Sequence, residues 1–277
     1  MQHIEDTFTS SDGTKLYTQQ WGPENAPRAV IVVVHGFGEH SGRYMNLVNY
    51  FVPRGYRIYS YDLRGHGRSG GARGHVMSWT AYRQDLTLLK QRVLAVSGNL
   101  PVFLYGHSFG GLMVLDYALH EPEGFHGLIA SAPAIGKVGI SPILLTLSRV
   151  MSRVYPTFTI QTGLDATSIS RDPAVVAAYI NDPMVHSFAS ARTGTEMAKT
   201  QDYVLKNASE LKMPLLMVQG SADRLVPPQD GRTFFERVPY GDKRYISYEG
   251  SYHEVHNDLD QLKAFTDIEL WLEEHLH

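Results

Sequence analysis

The chain has 277 residues, enough to bury a large core as one domain or as a domain carrying an insertion. Its composition, 43% hydrophobic and 19% charged, is that of an ordinary globular protein, and a net charge of −3 provides no basic footprint for nucleic acid. The lack of cysteine excludes disulfides, thiolate metal sites and a cysteine nucleophile together.

The first residues, "MQHIEDTFTSSDGTKLY", are acidic and have no apolar signal-peptide core, so a cytoplasmic location is expected. Asp12-Gly13 stands between two alternating segments and predicts an antiparallel hairpin at a sheet edge. "AVIVVVHG" follows, a β-branched run of the kind buried on both faces; at six residues, Ala29 to Val34 is far too short to span a membrane. Arg43 to Arg54 reads as a helix closed by Gly55, and "YRIYSYDL" as the next strand. Ser78 is placed to cap a helix running to about Val96, with Gly98 just beyond. Strand "PVFLY", helix Phe109 to His120 and strand "FHGLIAS" come next.

Between 135 and 206 this rhythm breaks and the sequence reads as mostly helical. Ile143, Leu144, Leu147, Val150, Met151 and Val154 share one face of a helical wheel, with Ser148, Arg149, Ser152 and Arg153 opposite. That pattern predicts a helix packed on the body of the protein, or a lid helix that lines a lipid tunnel or makes transient contact with a membrane surface. The rhythm resumes with "PLLMVQG", a helix Gln229 to Val238, "KRYISYEG" and an amphipathic helix Asn257 to Leu272. The expected architecture is α/β: a mostly parallel sheet covered by helices on both faces, its core built from 1–134 and 207–277 around a helical cap at 135–206.

Gly106-His107-Ser108-Phe109-Gly110 matches G-x-S-x-G, in which a serine sits on a turn so sharp that its flanks must be nearly free of side chain. The pattern alone is weak, since Gly67-Arg68-Ser69-Gly70-Gly71 matches as well. Context separates them. Ser108 lies between a strand and a helix, whereas Ser69 lies in a glycine-rich loop.

A serine hydroxyl needs a base to take its proton and an acid to orient that base. In this architecture both come from loops after later strands, acid first. Asp223 follows "PLLMVQG" and His253 follows "KRYISYEG". His256 is the rival base, further from the strand end. For an oxyanion, the expected donors are the N–H groups of Phe109, directly after the nucleophile, and of Phe37 in "VVVHGFGEH". His35 and His40 lack a third ligand at useful spacing and read as structural; neither metal nor cofactor is expected.

The blocks "HGFGEHSGRY", "YDLRGHGRSGGARGH", "GHSFGG", "GSADRLVPP" and "YEGSYHEVHND" resemble those of the monoglyceride lipases, a branch of the α/β-hydrolases. The resemblance implies an α/β-hydrolase fold with the triad Ser108, Asp223 and His253, the oxyanion donors Phe37 and Phe109, and polar groups around a glycerol head at Glu39, Arg43, Tyr179 and His256. It also implies a mobile cap over a tunnel for one acyl chain. Vertebrate members carry cysteines where this chain has His186 and Val226, so thiol reagents are not expected to inhibit it.

The resulting expectation is hydrolysis of a monoacylglycerol to fatty acid and glycerol. A lysophospholipase or broad carboxylesterase would differ only in what the cap admits. A proline-type aminopeptidase would need a carboxylate cluster in the cap, where Asp165, Asp172, Asp182, Glu196 and Asp202 are scattered. A ligand-binding protein on the same scaffold would have no use for a triad. Nothing in the sequence specifies an oligomeric state.

Overall fold

The computed structural model describes residues 1–136 and 149–276. Strands β1 (Gln2–Thr9) and β2 (Lys15–Gly22) pair antiparallel about the Asp12-Gly13 turn, where Asp12 accepts the Thr14 N–H at 3.0 Å. β2 pairs antiparallel with β4 (Tyr56–Tyr61). From there the sheet is parallel through β3 (Ala29–Val34), β5 (Val102–His107), β6 (Gly127–Ser131), β9 (Leu215–Gly220) and β10 (Lys243–Tyr248). The order across it is β1-β2-β4-β3-β5-β6-β9-β10, so the hairpin forms one edge.

The unbroken apolar run of β3 serves two cores. Val30, Val32 and Val34 pack on one face with Leu86 and Leu89 of α2 (Trp79–Ser97) and Val114 of α3 (Phe109–His120). Ile31 and Val33 pack on the other with Val48 and Phe51 of α1 (Met45–Phe51) and Ile268 of the last helix. A strand covered on both sides needs an apolar residue at every position, and each one buried stabilises the fold by ~1.5–3 kcal/mol.

Two predicted helices are shorter than read. Residues 43–54 form a 3₁₀ turn (Ser41–Tyr44), then α1, then a second 3₁₀ turn (Val52–Arg54), because Pro53 has no N–H to continue an α-helix. The last helix starts at Gln261, not Asn257. Asn257 and Asp258 are held in the preceding loop, Asn257 by Asn46 and Glu254, Asp258 by Arg171.

Between β6 and β9 the chain leaves the sheet. Residues 149–154 are helical (α4), and β7 (Thr159–Gln161) pairs with β8 (Phe188–Ser190) in a separate ribbon. Around it lie α5 (Pro173–Asn181) and α6 (Ala191–Lys206). The ribbon was not foreseen: strands of three residues, buried only at Ser190, leave no periodic signal. Ile143, Leu144 and Leu147 lie outside the described residues. In α4 the wheel holds for Arg149 and Arg153, which are exposed, and for the half-buried Met151, but not for Val150 and Val154, 52% and 76% exposed, or for Ser152, 3% exposed. The segment packs on the core through α6, against α2 and α3; beyond β9, α7 (Pro228–Arg237) and α8 (Gln261–Glu274) cover β9 and β10.

Candidate active site

Ser108 occupies the one-residue corner between β5 and α3, with φ 54° and ψ −114°, a left-handed conformation that a side chain strongly disfavours. Its neighbours enforce the turn. A Cβ on Gly106 would lie 2.4 Å from the Gly110 carbonyl oxygen, and one on Gly110 would lie 2.2 Å from that of Val34. The strained backbone is pinned by three hydrogen bonds: Ser108 N–H to Ser131 O, and Leu112 and Ala134 N–H to Ser108 O. Ser69 has no such setting. It is buried, donates to the Asp62 carbonyl and accepts the Tyr17 N–H, which ties a loop to β2.

Asp223 lies three residues past β9. One carboxylate oxygen accepts the N–H groups of Leu225 and Val226, both at 2.9 Å; the other faces Gln219 and sits 2.8 Å from Nδ1 of His253. An ionised carboxylate only accepts, so Nδ1 carries the proton and Nε2 has the free lone pair. His253 comes from the loop after β10, and its ring lies 4.7 Å from that of His107, the residue before Ser108. Burial opposes a charge on His253, but the attraction of Asp223, reinforced by Glu254 and Glu39, outweighs it and holds the pKa above that of free imidazole.

The neighbouring imidazoles behave oppositely. Burial depresses the pKa of His107 well below the ordinary value, and that of His256 to about 4, so both stay neutral where His253 titrates. His256, the rival base, is buried and stacked on Tyr44 at 4.8 Å, whereas the Asp223 carboxylate pairs with His253. Its Nε2 has no partner among the described residues.

The loop after β3 closes on the serine: a Cβ on Gly36 would meet that of Ser108 at 3.5 Å. Neither Phe37 nor Phe109 donates its N–H to an internal acceptor among the described residues, and their rings meet edge-on at 5.3 Å. Gly38 has φ 77°, and a Cβ there would lie 2.3 Å from the His186 carbonyl oxygen, so only glycine fits. His35 and His40 both have internal partners, His35 the Gly36 carbonyl and the Leu63 N–H, His40 the Asp182 carboxylate at 2.8 Å.

The structure draws Glu39, Arg43, Tyr179 and His256 together, but around one another. Arg43 forks onto Glu254 at 2.7 and 2.8 Å, also donates to Glu39, and lies 4.6 Å from the centre of the Tyr179 ring. Glu39 further accepts the Gly36 N–H and the Tyr44 hydroxyl. Glu254 was missed in the sequence, although a buried arginine needs a buried counter-charge and "SYHEVH" supplies one. Of the vertebrate cysteine positions, His186 packs on Phe37 and Val226 lies under Asp223. Among the described residues the carboxylates that the sequence offers between β6 and β9 stay apart, each with its own setting. Asp165 and Asp172 cap helices, Asp182 holds His40, Glu196 accepts from Trp79 N–H and Lys199, and Asp202 is exposed on α6.

A family model described as serine aminopeptidase, S33, matches residues 25–260. The chain is 36% identical over 279 residues to a monoacylglycerol lipase of Mycolicibacterium smegmatis, covering 98% of each chain. It belongs to the monoglyceride lipase branch of the α/β-hydrolases. The crystal structure of a Paleococcus ferrophilus monoacylglycerol lipase matches with a TM-score of 0.86 at 34% identity, over 94% of this chain and 99% of that one. A soluble variant of the Saccharomyces cerevisiae monoglyceride lipase, solved with a substrate analog, matches with a TM-score of 0.89 at 25% identity, over 98% and 94%.

Proposed function

We propose that this chain is a serine esterase that cleaves monoacylglycerols to fatty acid and glycerol. The observation that carries the reading is the Asp223–His253 hydrogen bond, with the His253 ring 4.7 Å from that of His107, the residue before a serine held at positive φ on a strand–helix corner. Kinship with monoacylglycerol lipases along the whole chain supports the substrate.

In this reading Nε2 of His253 takes the Ser108 proton as Oγ adds to the ester carbonyl. The N–H groups of Phe37 and Phe109 receive the oxyanion. The intermediate collapses as imidazolium passes its proton to the departing glycerol oxygen, leaving the acyl group on Oγ. Water then repeats the sequence, with His253 again as base, and releases the fatty acid. Asp223 holds the Nδ1–H tautomer throughout. Residues 135–206 serve as the cap, and Arg43, Tyr179 and His256 form the wall that a glycerol head meets, with Glu39 behind Arg43. Among the described residues Nε2 of His256 has no partner, but it is shielded from solvent, so a glycerol hydroxyl reaches it only as a neighbouring side chain of the wall moves aside.

The cap also offers a surface for lipid. Val150, Val154, Tyr155, Phe158 and Ile160 are all exposed, a display of apolar side chains that favours transient contact with a membrane. Among the described residues no helix is long and apolar enough to cross one.

The deciding experiment is a hydrolysis panel, with Ser108→Ala as blank, on long-chain monoacylglycerols, di- and triacylglycerols, lysophosphatidylcholine and a short p-nitrophenyl ester. Preference for monoacylglycerols is expected. A clear win for the lysophospholipid or short ester would move the assignment to lysophospholipase or broad esterase.

A further inference from the structure

The loop that carries His253 has no regular secondary structure between β10 and α8, yet a general base must keep its place to within a fraction of an ångström. Asp223 fixes the imidazole, but something else must fix the backbone. Three consecutive residues from the segment between β6 and β9 lie against it. The Ile169 carbonyl accepts the Glu254 N–H at 2.8 Å, and Ser170 Oγ donates to the Asn257 carbonyl at 3.0 Å. Arg171 donates its backbone N–H and Nε to the Asp258 carboxylate at 3.0–3.1 Å. Its Nη2 reaches Ser251 Oγ at 3.1 Å and also pairs with Asp260.

Asp258 extends this grip. Its side chain is fully buried, and besides Arg171 it accepts the N–H of Tyr252 at 2.7 Å and of Leu259 at 2.8 Å. The guanidinium therefore holds the loop on both sides of His253, at Ser251 and, through Asp258, at Tyr252 before it, and at Asp258 and Asp260 after it. Arg171 is suited to this because a planar fork engages several acceptors in fixed directions, which a lysine ammonium does not.

We propose that Arg171, acting through Asp258, is a positioning residue for His253, so that the geometry of the base is set by the same segment that covers the site. The proposal rests on reading His253 as the general base. It touches no substrate atom, so its loss acts on the chemical step and not on binding.

The test compares Arg171→Ala, Arg171→Lys, Asp258→Asn and the Arg171→Ala/Asp258→Asn double variant with wild type. It reads kcat and KM on a monoacylglycerol and the rate of inactivation by a small fluorophosphonate, which reports Ser108–His253 competence without glyceride recognition. Arg171→Ala is expected to lower kcat by about 10²-fold with KM within about twofold, and to slow inactivation in proportion. Added guanidinium should restore part of the loss, and Arg171→Lys should fall between. The double variant should be no worse than the poorer single one, since both act through one contact. Unchanged inactivation in the folded variants, including the case in which only KM rises, overturns the proposal. Should Arg171→Ala not fold, Arg171→Lys and Asp258→Asn decide on the same criterion. Wild-type protein that resists the fluorophosphonate would instead defeat the esterase reading itself.

Discussion

Gly36 donates its N–H to Oε1 of the buried Glu39 at 2.6 Å, and the residue that follows Gly36 is Phe37. The carboxylate thus anchors the backbone one step before the N–H assigned to the oxyanion. Its second oxygen is taken by Arg43, which leaves Glu39 little capacity for a substrate hydroxyl. Glu39→Ala is expected to lower kcat by about 10²-fold, the scale of a misplaced oxyanion donor, with KM changed less than about threefold. A rise in KM at constant kcat on a monoacylglycerol would return Glu39 to the glycerol head.

The pH profile should follow His253. Burial disfavours its charged form, but Asp223, Glu254 and Glu39 more than compensate, so its pKa lies above that of free imidazole. The base works only when deprotonated, so kcat/KM should fall as pH drops through this raised value. Asp223→Asn removes the strongest attraction for the proton. The acid limb should then move to lower pH while the plateau drops by about 10⁴-fold, because the Nδ1–H tautomer is no longer held. An acid limb that stays in place would show that another group controls it.

His256 makes a different prediction. With a pKa of about 4 it does not change charge where His253 titrates. His256→Phe preserves the stack on Tyr44 but removes the free Nε2. KM for a monoacylglycerol should rise by about tenfold, the worth of one good hydrogen bond, while a p-nitrophenyl ester and the acid limb are unaffected. Equal losses on both esters would mark His256 as part of the packing alone.

Membrane contact through the cap is checked by co-sedimentation with liposomes. Val154 is 76% exposed, so Val154→Asp should leave the melting temperature within about 2 °C while weakening sedimentation severalfold. Binding that survives the substitution would place lipid contact elsewhere or nowhere.

Much of this was legible in the chain. The alternation of β-branched runs with amphipathic stretches predicts the sheet, because a strand buried on both faces must be apolar throughout, as β3 is. Ser108 is distinguished from Ser69 by what flanks it, since the corner forces Gly106 by the nearby Gly110 carbonyl and Gly110 by the Val34 carbonyl of the adjoining strand. The order of Ser108, Asp223 and His253 follows because strand ends in a parallel sheet share one edge. Local rules failed where partners come from afar. The wheel over α4 ranked residues by hydropathy alone, and Ser152 went inward while Val150 and Val154 went out.

The sequence by itself therefore determined the fold class, the strained corner at Ser108 and which residues are proposed as acid and base, because each depends on a spacing within one strand–loop–helix unit. Only the tertiary structure decided who neutralises Arg43, what pins the His253 loop and which way α4 faces. Glu254 is 211 residues from Arg43, and Arg171 is 87 from Asp258. Ion pairs leave no periodic trace at such separations. They are selected only when folding removes water from both charges at once, and the cost of leaving either unpaired fixes the match.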